Sequence, residues 1–361
     1  MTSAASPSLW TRTLRPLLIT LLGGSLGGAA FHATGLPLAW MLGSMAAVTL
    51  LAVCKAQPHI PTPLRTIMLS VLGVMLGSTF RPGFLDHLTD WWPSLLGLLV
   101  LTVLTPLLLS PLFRRTGHSV VTSYFAAAPG GINEMVMIGG GLGGDERTIA
   151  LVHSLRILFV VFCVPICFHL LGGTYPDTSQ HQSSNEWLAF ANNWPETAVL
   201  LACMALGKPL GGLLRLPAPP LIGPMVLSAI VHLLGWTTLH PPAVLIAIAQ
   251  VVVGSALGAR FRGIAASALL RLSGVAMVSS LLMILLAMLG AWIVGQATGL
   301  PFILLLLSFV PGGVAEMSLV SLALGMDVAF VASHHMVRIA LVIALAPPLF
   351  RWWYNRHSHH A

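Results

Sequence analysis

Long apolar runs follow one another along nearly the whole chain, separated by short stretches that carry most of the Pro, Gly and charged residues. Apolar runs of this length, with at most one charge each, predict helices that cross a bilayer. In the first half they fall near Leu14–Phe31, Leu36–Val53, Leu64–Phe80, Trp91–Phe113 and Thr148–Leu171. In the second half they fall near Thr197–Leu214, Leu221–Leu234, Val244–Ala259, Ser267–Val294 and Ala329–Phe350. Ahead of the last run in each half lies an apolar segment cut by Pro-Gly-Gly. One is Ser119–Ala128 then Ile132–Leu142, the other Pro301–Val310 then Val314–Leu324.

The two halves repeat each other. Pro129-Gly130-Gly131-Ile132-Asn133-Glu134-Met135 is answered, 182 positions later, by Pro311-Gly312-Gly313-Val314-Ala315-Glu316-Met317. The same offset relates Asp145 to Asp327, His153 to His335 and Arg156 to Arg338. Earlier in each half, Leu36-Pro37 through Met45 answers Leu216-Pro217 through Met225. The chain therefore reads as a tandem duplication, with a first membrane repeat over 12–171, a polar linker over 172–191 and a second membrane repeat over 192–352. The first apolar run resembles a signal peptide, but its partner Thr197–Leu214 marks it as a retained span.

Composition agrees. Of 361 residues, 56% are hydrophobic and only 7% charged, with mean hydropathy +0.90. A soluble domain carries about 25% charged residues. The four cysteines all lie in apolar runs without metal-ligand spacing and read as small packing residues. The net charge of +7 comes from single or paired basic residues between the runs, which is the pattern of cytoplasmic loops rather than a nucleic-acid surface.

Those basic residues predict the topology. If each broken segment is re-entrant, each half crosses five times, and 14 Lys and Arg fall inside with only Arg81 outside. If each broken segment crosses, the division is 8 to 7. The positive-inside rule selects five crossings, both termini cytoplasmic and the linker outside. An odd number inverts the second half, so the expected fold is an all-α membrane protein of two inverted repeats. It has about ten transmembrane helices and two re-entrant broken hairpins, as in secondary transporters. Each arm of about ten residues covers about 15 Å, half of a core about 30 Å thick, which sets the Pro-Gly-Gly turns near mid-depth.

The candidate site is built on those turns: Pro129, Gly130, Gly131 and Asn133, with Pro311, Gly312 and Gly313. A plain helix kink is the structural reading. The functional one is a half-helix N-terminus whose free N–H groups suit an anion. Glu134 and Glu316, two of only five Glu, read as ion- or proton-binding acids or as carboxylates complementing their own helix dipoles. His153 with Arg156 and His335 with Arg338 each share a helix face at i, i+3. They read as an anion ligand beside a titratable ring, or as internal ion pairs to Glu134 and Glu316. Asp145 and Asp327 read as helix N-caps. The terminal His357, His359 and His360 read as incidental metal binders. No Walker loop, activated nucleophile or HExxH occurs, so no enzyme activity, cofactor or dedicated metal is expected.

The Leu-Pro-x-x-x-x-(Leu/Ile)-Gly segments followed by Pro-Gly-Gly-x-x-Glu-Met and then Asp, His and Arg resemble the AbrB family of duplicated bacterial membrane proteins. The resemblance covers both halves. Members are labelled ammonia monooxygenases or regulators of gene expression, and they are distinct from the small DNA-binding protein of the same name. Together with the residues, it implies a transporter-like protein of the bacterial inner membrane, or a membrane protein acting indirectly on gene expression, or, least favoured by the residues, a monooxygenase. The expected partners are a small molecule or ion and the lipid bilayer, with no direct nucleic-acid contact. Homo-oligomerisation is left open.

Overall fold

The computed structural model describes residues 14–80, 90–170 and 186–358. Arg12, Arg81, most of the linker, His359 and His360 lie outside the described residues. The first half forms α1 (Arg15–His32), α2 (Ala39–Val53), α3 (Thr62–Gly77), α4 (Trp92–Arg114), α5 (Val120–Ala127), α6 (Ile132–Gly141) and α7 (Glu146–Leu170). A short helix, α8 (Glu186–Asn192), occupies the end of the segment expected to be loop. The second half forms α9 (Trp194–Leu213), α10 (Pro219–Leu233), α11 (Ala243–Gly258), α12 (Ala266–Thr298), α13 (Phe302–Phe309), α14 (Val314–Ala323) and α15 (Val328–Ser358). No strand is present among the described residues.

This is an all-α, multi-pass membrane protein. Among the described residues, six helices are long and apolar enough to cross a bilayer: α4, α7, α9, α11 (with the turn that follows it), α12 and α15. Helices α2, α3 and α10 are also apolar but have only 15, 16 and 15 residues. At 1.5 Å per residue they reach about 22–24 Å, short of a core about 30 Å thick. Large side chains such as Leu26, Leu213 and Leu270 stay exposed on the isolated chain, as a lipid-facing surface requires.

The compact units cut across the repeats. One consists of Met1–Ser78 with Asp177–Ala266, the other of Thr79–Pro176 with Ser267–Ala361. Each unit thus takes the matching part of both halves. The first contains α1–α3 and α9–α11, with α2 packed on α11 and, reciprocally, α3 on α10. Lipid tails are as apolar as Leu, so such contacts gain from close packing rather than from escape from water. Small residues supply it. A Cβ at Gly73 would stand 2.3 Å from the Leu221 carbonyl oxygen, and one at Gly254 would stand 2.4 Å from that of Met41. Ser228 Oγ adds a hydrogen bond to the Val74 carbonyl at 2.7 Å.

The second unit contains both broken segments. In it, α6 packs on α7 and α14 on α15, each short arm against the long helix that follows it. A buried apolar cluster joins Tyr124, Phe125, Met135 and Ile149 to Val342, Ala346 and Phe350, so the far part of α15 covers the first hairpin. The Phe350 ring lies 5.2 Å from Tyr124 and 5.5 Å from Phe125.

Candidate functional site

Proline sets each break. The residue before a proline is driven out of the α region. Ala128 (ψ 136°) and Val310 (ψ 131°) accordingly end α5 and α13 in extended conformation. Gly131 and Gly313 are extended too and start α6 and α14 as N-caps. The arms have 8 and 10 residues in both hairpins.

Freed carbonyls at such a break need donors, because no water reaches them in a bilayer. Arginine supplies these donors from the following long helix. Arg156 donates from Nη1 to the Ala128 carbonyl at 2.8 Å and from Nη2 to the Gly130 carbonyl at 3.0 Å. Arg338 does the same with Val310 and Gly312, both at 2.8 Å. Both guanidiniums are 3% exposed. The planar fork of arginine spans two carbonyls on either side of the proline, which a lysine ammonium does not do with the same fixed geometry.

The internal ion pair expected from the sequence is therefore not formed. Neither Glu134 nor Glu316 has a hydrogen-bond or ion-pair partner among the described residues. Each instead folds back over its own helix start, from the third helical position toward the N-cap. A Cβ at Gly131 would meet Glu134 Oε2 at 2.1 Å, and one at Gly313 would meet Glu316 Oε2 at 1.9 Å. A Cβ at Gly130 or Gly312 would meet the Met135 or Met317 side chain at 2.8 or 2.5 Å. The motif thus has an internal logic: its second glycine makes room for the Glu and its first for the Met. It also means that the helix N-termini, expected to attract an external anion, are already faced by a carboxylate.

The copies differ in their remaining residues. Glu134 is half-buried and Glu316 buried; Asn133 is exposed, whereas its counterpart Ala315 is buried. His335 accepts from Arg338 Nη2 at Nδ1 (2.7 Å), so its proton sits on Nε2, which donates to the Leu307 carbonyl at 3.0 Å. His153 is equally buried, yet neither ring nitrogen makes a well-formed hydrogen bond; only a marginal approach to the Ile149 carbonyl remains.

Asp145 and Asp327 lie at the helix starts. Asp145 accepts from the Arg147 N–H at 3.1 Å and from the Thr148 hydroxyl, and Asp327 accepts from the Phe330 N–H at 3.1 Å. The Thr148 hydroxyl, more than any other neighbour, holds the Asp145 carboxyl below its ordinary value. Among the described residues no three His, Cys, Asp or Glu side chains gather into a metal-binding group.

One cavity brings the two breaks together. It is lined by Pro129 and Pro311, by Arg338 and Phe309, by Leu98, Leu101, Thr102 and Thr105 of α4, and by Met283, Leu286 and Ala287 of α12. Its water-accessible volume is about 10 Å³, room for about one water. Arg156 Nη1 lies 4.0 Å from the sulfur of Met283, one of the lining residues. Sequence reasoning missed the α4 and α12 walls, which carry no charge. The repeat offset was the available signal, since Leu101 and Met283, and Thr105 and Ala287, stand 182 apart like the motif residues.

These features define an all-helical membrane protein, one of whose two compact units holds two helices broken at Pro-Gly-Gly. Over residues 40–354 the sequence matches the family described as "Transition state regulatory protein AbrB", and the chain belongs to that family. It is 29% identical over 356 residues to "Uncharacterized protein YhjN" of Bacillus subtilis (strain 168), covering 92% of this chain and 91% of that protein. It is 26% identical over 332 residues to "Putative regulator AbrB" of Escherichia coli (strain K12), covering 91% of this chain and 92% of that protein.

Proposed function

We propose that the chain is a secondary transporter for a small anion, working by alternating access at the cavity between the two Pro-Gly-Gly breaks. The observation that carries this reading is the company kept by the cavity: both breaks and a buried arginine line it, and neither Arg156 nor Arg338 faces a carboxylate. The carbonyls hold the two guanidiniums in place without cancelling their charge, and each Nε has no acceptor. Uncompensated buried charge is costly in a membrane and usually functional. A small anion would compensate it, while the apolar walls and Thr102 and Thr105 set the size that fits. The present volume suits an occluded state, so the cavity opens to one side at a time.

In this reading the repeats are inverted, with ten crossings and two re-entrant hairpins, the short α2, α3 and α10 being accommodated by local thinning of the bilayer; both termini lie in the cytoplasm of a bacterial cell and the linker outside the inner membrane. The chain carries out no catalytic step. The name of the Escherichia coli relative favours a second reading, a role in regulation. A transporter satisfies it indirectly, when the metabolite it moves alters expression downstream.

The test is uptake of labelled small anions into proteoliposomes containing the purified chain. Thr105→Leu and Ala287→Leu, which overfill the cavity from α4 and from α12, are expected to abolish uptake per folded protein, at a cost of about 1–3 kcal/mol in stability. Undiminished uptake in both variants overturns the assignment of the cavity, and absence of uptake across a panel of small carboxylates and inorganic oxyanions overturns the anion reading. A reporter in the linker that reads cytoplasmic overturns the topology.

A further inference from the structure

The cavity between the two breaks has one wall that donates hydrogens and one that only accepts them. Arg338 is the donating side. Its Nη groups are committed to the Val310 and Gly312 carbonyls and to His335, and its Nε–H has no acceptor. Of the residues that line the cavity, only Thr102 and Thr105 of α4 carry side-chain oxygen. Both hydroxyl protons are spent within the helix. Thr102 donates to the Leu98 carbonyl at 2.7 Å, and Thr105 to the Leu101 carbonyl at 2.6 Å. Each oxygen is left with its lone pairs.

Pro106 adds a third acceptor to the α4 wall. It lies inside the helix and has no N–H, so the Thr102 carbonyl, four residues back, lacks its ordinary helical donor. The twin positions on α12, 182 residues further on, hold Ile284, Ala287 and Met288. The acceptor wall therefore exists once, and the repeat forms its helix without it.

A bare anion that satisfies Arg338 brings lone pairs of its own against those of α4. An anion that also carries an O–H meets both walls, with its charge toward the guanidinium and its proton toward the threonines. We infer that the carried species is a small monoanion bearing a hydrogen-bond donor, of the class of a 2-hydroxycarboxylate or a protonated oxyanion. This rests on the transport reading and names the substrate class of the same cavity. A site built to bond a hydroxyl rejects the analogue that lacks it, because the site's own polar groups are then left unpaired.

Matched pairs of anions test it by titration calorimetry on the purified full-length protein. Bicarbonate and nitrate are planar monoanions of similar size, and only bicarbonate carries a proton. Glycolate and acetate differ by one hydroxyl. At a pH where all four are monoanions, the donor-bearing member is expected to bind about tenfold more tightly. A preference in the first pair marks an inorganic oxyanion, and one in the second a hydroxy acid. Thr105→Val removes one acceptor and Pro106→Ala restores the helical donor to the Thr102 carbonyl, so each is expected to shrink the preference severalfold. Thr105→Ser keeps the oxygen and should keep the preference. Equal affinity within both pairs in the parent, with water serving the α4 oxygens instead, overturns the inference and leaves anion transport standing. A preference undiminished when Thr102→Val and Thr105→Val are combined also overturns it. Absence of binding by all four anions overturns the inference together with the anion reading.

Discussion

The hairpins around Pro129 and Pro311 share one backbone solution and differ in nearly every polar detail around it. In both, an arginine from the next helix bridges the two carbonyls that flank the proline, and a glutamate folds over the second glycine. Yet His335 is fully bonded where His153 is not, Glu316 is buried where Glu134 is partly open, and His334 stands opposite Val152. The common part is what any broken helix in a bilayer needs to exist. The divergent part is free of that need, so the halves can differ there without losing the break.

The largest test is whether the arginine bridges are equivalent. Arg156→Met and Arg338→Met each leave two buried carbonyls without donors, and each is expected to cost roughly 3–5 kcal/mol, two hydrogen bonds from a charged donor. Thermal unfolding of the detergent-purified protein reads the loss directly. A variant as stable as the parent at either site would break the comparison at its root. Glu134→Gln and Glu316→Gln should leave stability almost unchanged, because no guanidinium depends on either acid.

The histidines sharpen the difference. His335→Leu strands a hydrogen of Arg338 and the Leu307 carbonyl, for about 1–3 kcal/mol. His153→Leu removes no well-formed bond and should be neutral or stabilising. Equal losses in the same unfolding measurement would erase the asymmetry. The glycines rank next. Gly313→Ala expels a carboxylate with nowhere to go and should cost about 1–3 kcal/mol, whereas Gly131→Ala lets a half-open Glu134 swing aside at smaller cost.

The smallest effect is at Asp145. Its folded-state carboxyl is held below the ordinary value, so its contribution is present above the unfolded pKa and is lost as pH falls through the folded one. Asp145→Asn should therefore lower stability at neutral pH slightly and make no difference in strong acid. Unfolding curves of parent and variant that stay parallel down the pH scale would contradict the cap.

Helices and breaks were legible in the sequence because their causes are local. Proline fixes the residue before it, and apolar runs end where Pro, Gly and charge begin, so α6 and α14 lie within a residue or so of the segments expected. The arginines were legible as residues but not as contacts. A sequence displays carboxylates and conceals carbonyls, since every residue has one, so the visible acid looked like the partner. The division into units was hidden for another reason. Pairing α2 with α11 and α3 with α10 is a choice among many apolar faces, and only the spacing of glycines such as Gly73 and Gly254 hinted at it.

The arginine bridges also bear on the order of events at synthesis. Each joins residues only 26 and 28 positions apart, so each hairpin and its following helix contain everything needed to close the break. The first break can be bridged while the second half is still on the ribosome, although its hairpin gains its apolar cover only when α15 arrives. The first unit has no such independence, because α2 and α3 must wait for α11 and α10. A nascent chain stopped after the linker would then hold a bridged but uncovered hairpin and two glycine-lined helices without partners, which is the stage at which misassembly or quality-control proteolysis would act.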